Sequence, residues 1–291
     1  MKGSTASWWL KLQRADHHLE EINRYIVAYE GKKVYRPQCE SNPQRKEDVW
    51  TYVLEITEQP DERLPIVIGD MVHNMRSALD HILVALRPWK YRYKKGFPIL
   101  TDNPWEGELT EGKRRERAGF CESISGLPGE AATAIVLLQP YLDREEGADP
   151  RRNALQVIKR LDNADKHREP IVTVPGLVNV TTLVTARGER IEQRHQPAAS
   201  GYPGLVEAGT EVAHFGWVKS PPLTVTEVDV DVRGTPLVAL DVGIPDGYME
   251  ARDTLAGSLG YLWEHVIPVL EQFLPEGELR TKGLRRHSTP P

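Results

Sequence analysis

Residues 64–86 read LPIVIGDMVHNMRSALDHILVAL, and apolar side chains recur along this stretch at spacings of three and four. On a helix this repeat makes one continuous apolar stripe, which needs a partner surface to cover it. The stripe consists of Ile68, Val72, Met75, Leu79, Ile82 and Leu86. Pro65 falls in the first turn, where proline is tolerated, and Pro88 ends the helix. The stretch therefore predicts the central helix of a helical domain.

Four further stretches favour helix. They are residues 6–30, 129–142, 151–164 and 248–274. In the first of them, the apolar stripe consists of Trp8, Leu12, Ala15, Leu19, Ile22, Ile26 and Tyr29. We expect Pro268 to kink the last helix. Residues 88–128 are rich in proline, glycine and charge, so we expect a long connection with local structure there.

From residue 170 the pattern changes to segments rich in valine and threonine and bounded by glycine and proline. Residues 225–232 (VTEVDVDV) alternate with period two, as a strand with one wet face does. The predicted strands are residues 171–174, 177–185, 211–218 and 223–232. Because no helix separates them, we expect an antiparallel sheet. Two earlier extended segments, around Val34 and at residues 49–56, could also pair.

The predicted fold class is α+β: an up-and-down helical bundle with an antiparallel β-rich insertion before the last helix. The expected division has four parts: residues 1–169 as the first part of the bundle, 170–245 as the insertion, 246–275 as the closing helix and 276–291 as a flexible basic tail.

The composition of the chain excludes several classes of protein. The chain has 291 residues, 40% of them hydrophobic, and a net charge of −5, which is typical of a globular protein and not of a disordered or fibrous one. No membrane-spanning run and no secretory signal is seen, so we expect a cytoplasmic protein. Cys39 and Cys121 are too few for a disulfide framework or a four-thiolate zinc site. A slightly acidic chain needs a local basic patch to bind nucleic acid.

The densest polar cluster is residues 73–81 (HNMRSALDH), in the middle of the central helix. Asn, Ser and Asp are unfavourable in helix interiors, so their presence calls for an explanation. Arg76 and Asp80 can pair at i,i+4. One interpretation is a solvated or salt-bridged face. The other is a catalytic face, with His81 as the titratable group and Asn74 or Asp80 orienting its ring.

A second cluster, residues 160–168 (RLDNADKHR), closes the helix predicted at 151–164. Cations near a helix C-terminus stabilise the helix dipole, which by itself accounts for Lys166 and His167. If this helix is a neighbour of the central one, His81 and His167 could face a common cleft.

Residues 87–95 (RPWKYRYKK) hold five cations, and aromatic residues alternate with them. In an extended segment the aromatics would lie on one side and the cations on the other. The segment could stack on bases and follow phosphates, with Trp89, Lys90, Tyr91 and Arg92 as substrate-binding residues together with Lys166. Alternatively, its aromatics cover the bundle and its cations are solvated.

We expect no metal and no cofactor. His73 and His81 are eight positions apart, whereas helical metal ligands are three or four apart, and none of the predicted helices holds an E-x-x-H pair. A metal-dependent bundle enzyme is therefore only a third interpretation of the sequence.

Arg76 and His81 read as an arginine, four residues and a histidine on the polar face of a bundle helix. This resembles the R-x4-6-H signature of the HEPN superfamily, the helical domains of many toxin and antiphage ribonucleases. The phrase GDMVHNMRSALDHILVAL with a downstream DNADKHR also resembles a group of bacterial proteins that share an ALDH…DKHR pattern.

The resemblance implies metal-independent RNA cleavage, in which the ribose 2′-hydroxyl attacks its own phosphate and leaves a 2′,3′-cyclic end. His81 would transfer the proton and Arg76 would bind the phosphate, with Asn74 or Asp80 orienting the imidazole. It also implies a homodimer with two Arg/His pairs in one cleft, and a regulatory protein partner is compatible with it. The alternative is a non-catalytic binding or interaction module that uses the β insertion for recognition.

Overall fold

The computed structural model describes residues 6–40, 49–88, 95–143, 149–166, 171, 173–195, 205–216, 227–244 and 247–275. The chain divides into two compact units. The helical unit takes Met1–Glu20, Val67–Pro170 and Thr254–Pro291, and the β unit takes Glu21–Ile66 and Ile171–Asp253. The fold class is α+β, as predicted.

Seven α-helices lie in the described part of the chain. They are α1 (Ser7–Glu30), α2 (Leu64–Leu86), α3 (Glu111–Ile124), α4 (Gly129–Leu137), α5 (Ala154–Lys166), α6 (Ala251–Tyr261) and α7 (Ile267–Glu271). The apolar stripe predicted for α2 is buried throughout, and the stripe predicted for α1 is buried except at Leu19. Burying each such side chain contributes about 1.5–3 kcal/mol, so these two stripes stabilise the fold strongly.

Helices α2 and α5 are antiparallel neighbours. A Cβ atom placed on Gly69 of α2 would lie 2.6 Å from an oxygen of Asp165 on α5. One turn further along α2, His73 Nδ1 lies 3.4 Å from Asp162 Oδ1. Because the contact positions rise along α2 and fall along α5, the helices run in opposite directions.

The closing helix packs against the start of the chain. The indole N–H of Trp263 donates to the carboxylate of Asp16 at 3.2 Å, and its ring lies edge-on to that of Trp9. A kink at Pro268 was predicted, and a π-helical turn, Leu262–Val266, ends two residues before that proline. There the N–H of Ile267 bonds to the carbonyl of Leu262, five residues earlier, and Pro268 has no N–H to donate.

Helix α3 occupies part of the stretch predicted as a connection. Thr110 caps it, because its side chain accepts a hydrogen bond from the N–H of Lys113 at 3.3 Å. Only Phe120 and Ser123 of this helix are buried. The helix therefore has no apolar stripe that a periodicity argument could detect.

The β unit contains seven strands in its described residues. They are β1 (Tyr35–Glu40), β2 (Val49–Ile56), β3 (Thr173–Ala186), β4 (Glu189–His195), β5 (Glu211–Gly216), β6 (Val228–Ile244) and β7 (Gly247–Glu250). They form one sheet in the order β1-β2-β5 and another in the order β4-β3-β6-β7. All neighbouring strands are antiparallel, as predicted.

The β region is not a contiguous insertion at residues 170–245. The predicted pairing of the two early extended segments is confirmed, but β2 also pairs with β5, so residues 21–66 belong to the β unit. The bundle portion predicted for 1–169 is interrupted accordingly. The closing helix starts at Ala251, because residues 247–250 form β7, and the predicted tail at 276–291 lies outside the described residues. Strand pairing between segments that are far apart in the sequence leaves no local pattern from which it could be predicted.

Two predicted strands, 171–174 and 177–185, belong mostly to the single strand β3. A hairpin that was not predicted joins β3 to β4, where Arg187 and Gly188 have φ values of 50° and 79°. Two consecutive positive φ values suit the tight turn whose twist matches a hairpin. In β6, Val230 and Val232 are buried while Asp229 is exposed, which confirms the period-two pattern.

The two sheets share one apolar core. Its buried residues include Tyr52 and Leu54 from β2, Leu177 from β3, Val212 from β5 and Val230 from β6. No helix among the described residues is long and apolar enough to cross a membrane.

We expect that replacing Gly176 of β3 with any residue that has a side chain destabilises the protein. A Cβ atom there would lie 2.9 Å from the backbone oxygen of Val206, so Gly176→Ala should lower the free energy of unfolding by about 1–3 kcal/mol. The matched control is Gly257→Ala on the exposed face of α6, where the added Cβ would have no neighbour within 4 Å among the described residues outside its own helix backbone. It should stabilise by about 0.5–1 kcal/mol. Urea unfolding followed by circular dichroism measures both, and equal stability of Gly176→Ala and wild type would contradict the prediction.

Candidate active site

An extended segment, residues 96–100 (GFPIL), is bound to α2 through its backbone. Arg76 Nη2 donates to the carbonyl oxygen of Phe97 at 2.7 Å, and Asp80 Oδ1 accepts from the N–H of Phe97 at 2.8 Å. The two side chains also pair with each other at 3.1 Å. The predicted i,i+4 pair is therefore present, and both partners hold one peptide unit.

Two more side chains bind the same segment. Gln139, which is 2% exposed, accepts from the N–H of Leu100 and donates to the carbonyl of Pro98. Lys159 of α5 donates to the carbonyl of Ile99 at 3.0 Å. We call Arg76, Asp80, Gln139 and Lys159 the backbone clamp. Buried backbone groups outside regular structure need such partners, so the clamp replaces the hydrogen bonds that a helix or sheet would supply.

The clamp leaves no room for a side chain at residue 96, and it places the cation of Lys159 in a partly buried position. A Cβ atom on Gly96 would lie 2.5 Å from Asp80 Oδ1 and 3.2 Å from Arg76 Nη2, so only glycine fits without displacing the pair. Burial lowers the pKa of Lys159, the carboxylate of Glu116 opposes that shift, and the nearby cation of Arg76 adds to it.

His81 lies on a different side of α2 from Arg76. Five positions at about 100° per residue place the two side chains about 140° apart around the helix. The His81 ring is partly buried, and its Nδ1 has no hydrogen-bond partner among the described residues. Burial lowers the pKa of His81, the cation of Lys11 lowers it further, and Asp80 opposes them. Arg76 contacts the Phe97 carbonyl and Asp80 in this structure, and a catalytic Arg76/His81 pair stays a prediction.

Asn74 does not contact His81. Its amide donates to the carbonyl of Asp70 at 2.7 Å, one turn back on its own helix. Short polar side chains within helices commonly bond to a carbonyl of the preceding turn in this way. Because the Asn74 amide makes this bond, it does not orient the His81 ring in this structure.

His73, which was not predicted from the sequence as a catalytic residue, faces the second polar cluster. Its Nδ1 lies 3.4 Å from Asp162 Oδ1, and its Nε2 lies 3.4 Å from the hydroxyl of Ser77. Asp162 is 2% exposed, and its other oxygen accepts from Lys166 Nζ at 2.5 Å. We call His73 and Asp162 the His–Asp dyad. The DNADK stretch signalled the carboxylate, but only the register of α2 on α5 reveals its partner.

Several predicted site residues lie outside the described residues. They are His167 and the substrate-binding residues Trp89, Lys90, Tyr91 and Arg92. The cleft between His81 and His167 and the nucleic-acid role of residues 89–94 stay predictions. Within the described ranges, no group of three or more His, Cys, Asp or Glu side chains could hold a metal ion.

Comparison with known proteins gives no relative: no protein-family model, no curated protein and no solved structure matches this chain.

The clamp predicts a structural cost for removing Arg76. Arg76→Ala leaves the Asp80 carboxylate without its cation and the Phe97 carbonyl without its donor, so the free energy of unfolding should fall by about 2–3 kcal/mol. Arg115→Ala is the matched control, since it breaks an exposed i,i+4 pair with Glu111 and should change stability by less than about 0.5 kcal/mol. Equal losses in urea unfolding would rule out the clamp as a major stabilising contact.

The environment of His81 predicts a pH dependence. A lowered folded-state pKa means that the unfolded chain binds the proton first as the pH falls. Stability from His81 is therefore complete above the ordinary imidazole pKa of about 6.5 and declines below it. Melting temperatures at about pH 7.5 and pH 5.5 should differ less for His81→Gln than for wild type. An equal difference in both proteins would contradict this assignment, and His17→Gln at an exposed site is the control.

Proposed function

We propose that this chain is a metal-independent endoribonuclease in which His73, and not His81, transfers the proton. The observation that carries the proposal is the His–Asp dyad: a half-exposed imidazole whose Nδ1 faces a buried carboxylate 3.4 Å away. The resemblance to the HEPN ribonucleases supplies the reaction, and the dyad supplies a proton-transfer group for it.

Asp162 Oδ1 is buried, has no hydrogen-bond partner among the described residues and lies 3.4 Å from His73 Nδ1, so it is in position to orient the histidine ring. A carboxylate that is 2% exposed needs nearby positive charge or hydrogen-bond donors, because transfer out of water is costly for an ion. Lys166 provides one such contact on Oδ2, and His73 faces Oδ1. This arrangement favours the tautomer with the proton on Nδ1, which makes Nε2 the acceptor. In this structure Nε2 faces the Ser77 hydroxyl at 3.4 Å, so a substrate hydroxyl would take the place of Ser77 and give its proton to Nε2.

All bonds and protons of the proposed cleavage reaction are accounted for without a metal ion. The ribose 2′-hydroxyl gives its proton to Nε2 of His73, and its oxygen forms a bond to the adjacent phosphorus. The bond from phosphorus to the 5′-oxygen breaks, and that oxygen takes a proton from the Lys166 ammonium or from water. The products are a 2′,3′-cyclic phosphate and a 5′-hydroxyl.

The cation that meets the phosphate is, in this proposal, Lys166, whose side chain is half exposed. Arg76 is 16% exposed and binds Phe97 and Asp80, so its role is to position α2. Lys90 and Arg92 as further phosphate contacts, and Trp89 and Tyr91 as stacking surfaces, belong to the same proposal.

The proposal also covers the arrangement of the chain. We infer that the helical unit is an up-and-down bundle, which the antiparallel contact of α2 with α5 supports. A homodimer that joins two dyads across a twofold axis, and a cytoplasmic location, complete the ribonuclease hypothesis.

A second candidate is a non-catalytic binding module. The observation that favours it is the backbone clamp, because Arg76 and Asp80, the most prominent charges of the α2 polar cluster, are occupied in holding Phe97. In that case the protein binds RNA or another partner without turnover, and His73 can be replaced without functional loss.

RNA cleavage in EDTA separates the two candidates. Wild-type protein should cut end-labelled single-stranded RNA and leave 2′,3′-cyclic phosphates. His73→Ala should lower the rate at least about 100-fold by removing the general base. Asp162→Asn should lower it about 10- to 100-fold by releasing the orientation of the ring.

The matched control is His17→Ala, which removes an exposed histidine of α1 and should leave the rate unchanged. His81→Ala tests the sequence-based assignment in the same assay. Loss of cleavage in His81→Ala but not in His73→Ala would overturn the role given to His73. Absence of cleavage by the wild-type protein, with RNA still retained in a gel shift, would favour the binding module.

A further inference from the structure

A cavity of about 660 Å³ lies in the helical unit, away from the His–Asp dyad. It is bounded by the end of α4 and the turn after it, by the start of α5 and by the π-helical turn. Its apolar wall includes Leu137 and Leu142, and its polar lining includes Asp143, Asn153 and His265. The volume falls within the range of about 300–1,000 Å³ that small-molecule sites occupy.

The π-helical turn supplies an aromatic wall. Tyr261 directly precedes the turn and His265 lies within it, and both line the cavity. Their ring centroids are 5.2 Å apart with a tilt of 42°. π-Helical turns are rare and often occur at functional sites, because the extra residue re-aims the side chains around it.

The polar lining is fixed by Asn153. Its Oδ1 accepts from the N–H of Leu155 at 3.0 Å, which anchors the amide to the first turn of α5. Its Nδ2 donates to Asp143 Oδ2 at 3.3 Å. Burial raises the pKa of Tyr261, and the nearby Asn153 amide opposes that shift. The carboxylate of Asp143 is thereby held beside the aromatic wall, on an exposed residue that a ligand can reach.

We propose that this cavity binds the guanine base of a nucleotide. An ionised carboxylate only accepts hydrogen bonds, and its two oxygens match two adjacent N–H donors. Among the four RNA bases, only guanine presents two adjacent donors, N1–H and the N2 amino group, on its Watson–Crick edge. The ring would lie against Tyr261 and His265, and the leucines would cover its apolar surface.

The other bases fit the same lining less well. Adenine and cytosine place a ring-nitrogen acceptor beside their amino group, so one carboxylate oxygen would face a lone pair. Uracil offers one donor between two acceptors. An apolar ligand would leave Asp143 desolvated without a hydrogen-bond donor, which is unfavourable.

Guanine could come from an RNA strand or from a free guanine nucleotide, and the site requires neither cleavage nor the dyad. Binding to the full-length protein is measured by calorimetry with GMP and AMP. Two 2′-O-methyl adenosine hexamers, one with a single central guanosine and one without, are titrated as strands that cannot be cleaved at the 2′ position.

We expect GMP to bind at least about tenfold more tightly than AMP, and Asp143→Asn to weaken GMP binding at least about tenfold. Glu130→Gln is the matched control, because it neutralises an exposed carboxylate of α4 outside the cavity and should leave GMP binding unchanged. Circular dichroism confirms that each variant is folded. Tighter binding of the guanosine hexamer than of GMP assigns the site to a strand, and the reverse assigns it to a free nucleotide.

Equal affinity for GMP and AMP, unchanged GMP binding by Asp143→Asn, or absence of binding by all four ligands would overturn the proposal. Loss of RNA cleavage in the dyad variants with guanine binding retained would leave this site intact. Guanine binding without any cleavage by the wild-type protein would remove the ribonuclease proposal alone.

Discussion

The helical unit depends on one constraint: the backbone of residues 96–100, which is buried at 97–99, has no helix or sheet to bond to, so side chains must bond to it. Arg76 and Asp80 bind the peptide unit at Phe97, while Gln139 and Lys159 bind the next three residues. These side chains come from α2, from the turn that follows α4 and from α5. One short segment therefore fixes the positions of three helices.

The clamp also explains how α2 accommodates so many polar residues. At about 100° per residue, residues 73–81 point to several sides of the helix. Arg76 and Asp80 meet the extended segment, His73 meets Asp162 on α5, and the apolar stripe meets the core. A polar cluster that reads as one constellation in the sequence is divided among separate environments in the fold.

Local periodicity carried most of what could be predicted. The α2 stripe and the Arg76–Asp80 pair follow from spacings of three or four residues, and the strand at 225–232 follows from a spacing of two. The antiparallel pairing follows from the absence of helices between the predicted strands. Helix α3 was missed because it buries only two residues. β2 was predicted as an extended segment but assigned to the bundle portion 1–169, because its partner β5 is more than 150 positions away. The site prediction named Arg76 and His81 together, although they lie on different sides of α2.

The sequence by itself determined which residues form the central helices, which face of each is buried and that the chain mixes helices with antiparallel strands. The tertiary structure alone decided that Asp162 faces His73, that Arg76 serves the backbone of Phe97, and that Tyr261 and His265 share a cavity with Asp143. The physical reason is the distance along the chain over which each kind of interaction acts. Burial patterns repeat within a few residues and are visible along the chain, whereas the partner of a polar side chain is set by the register between elements that packing brings together.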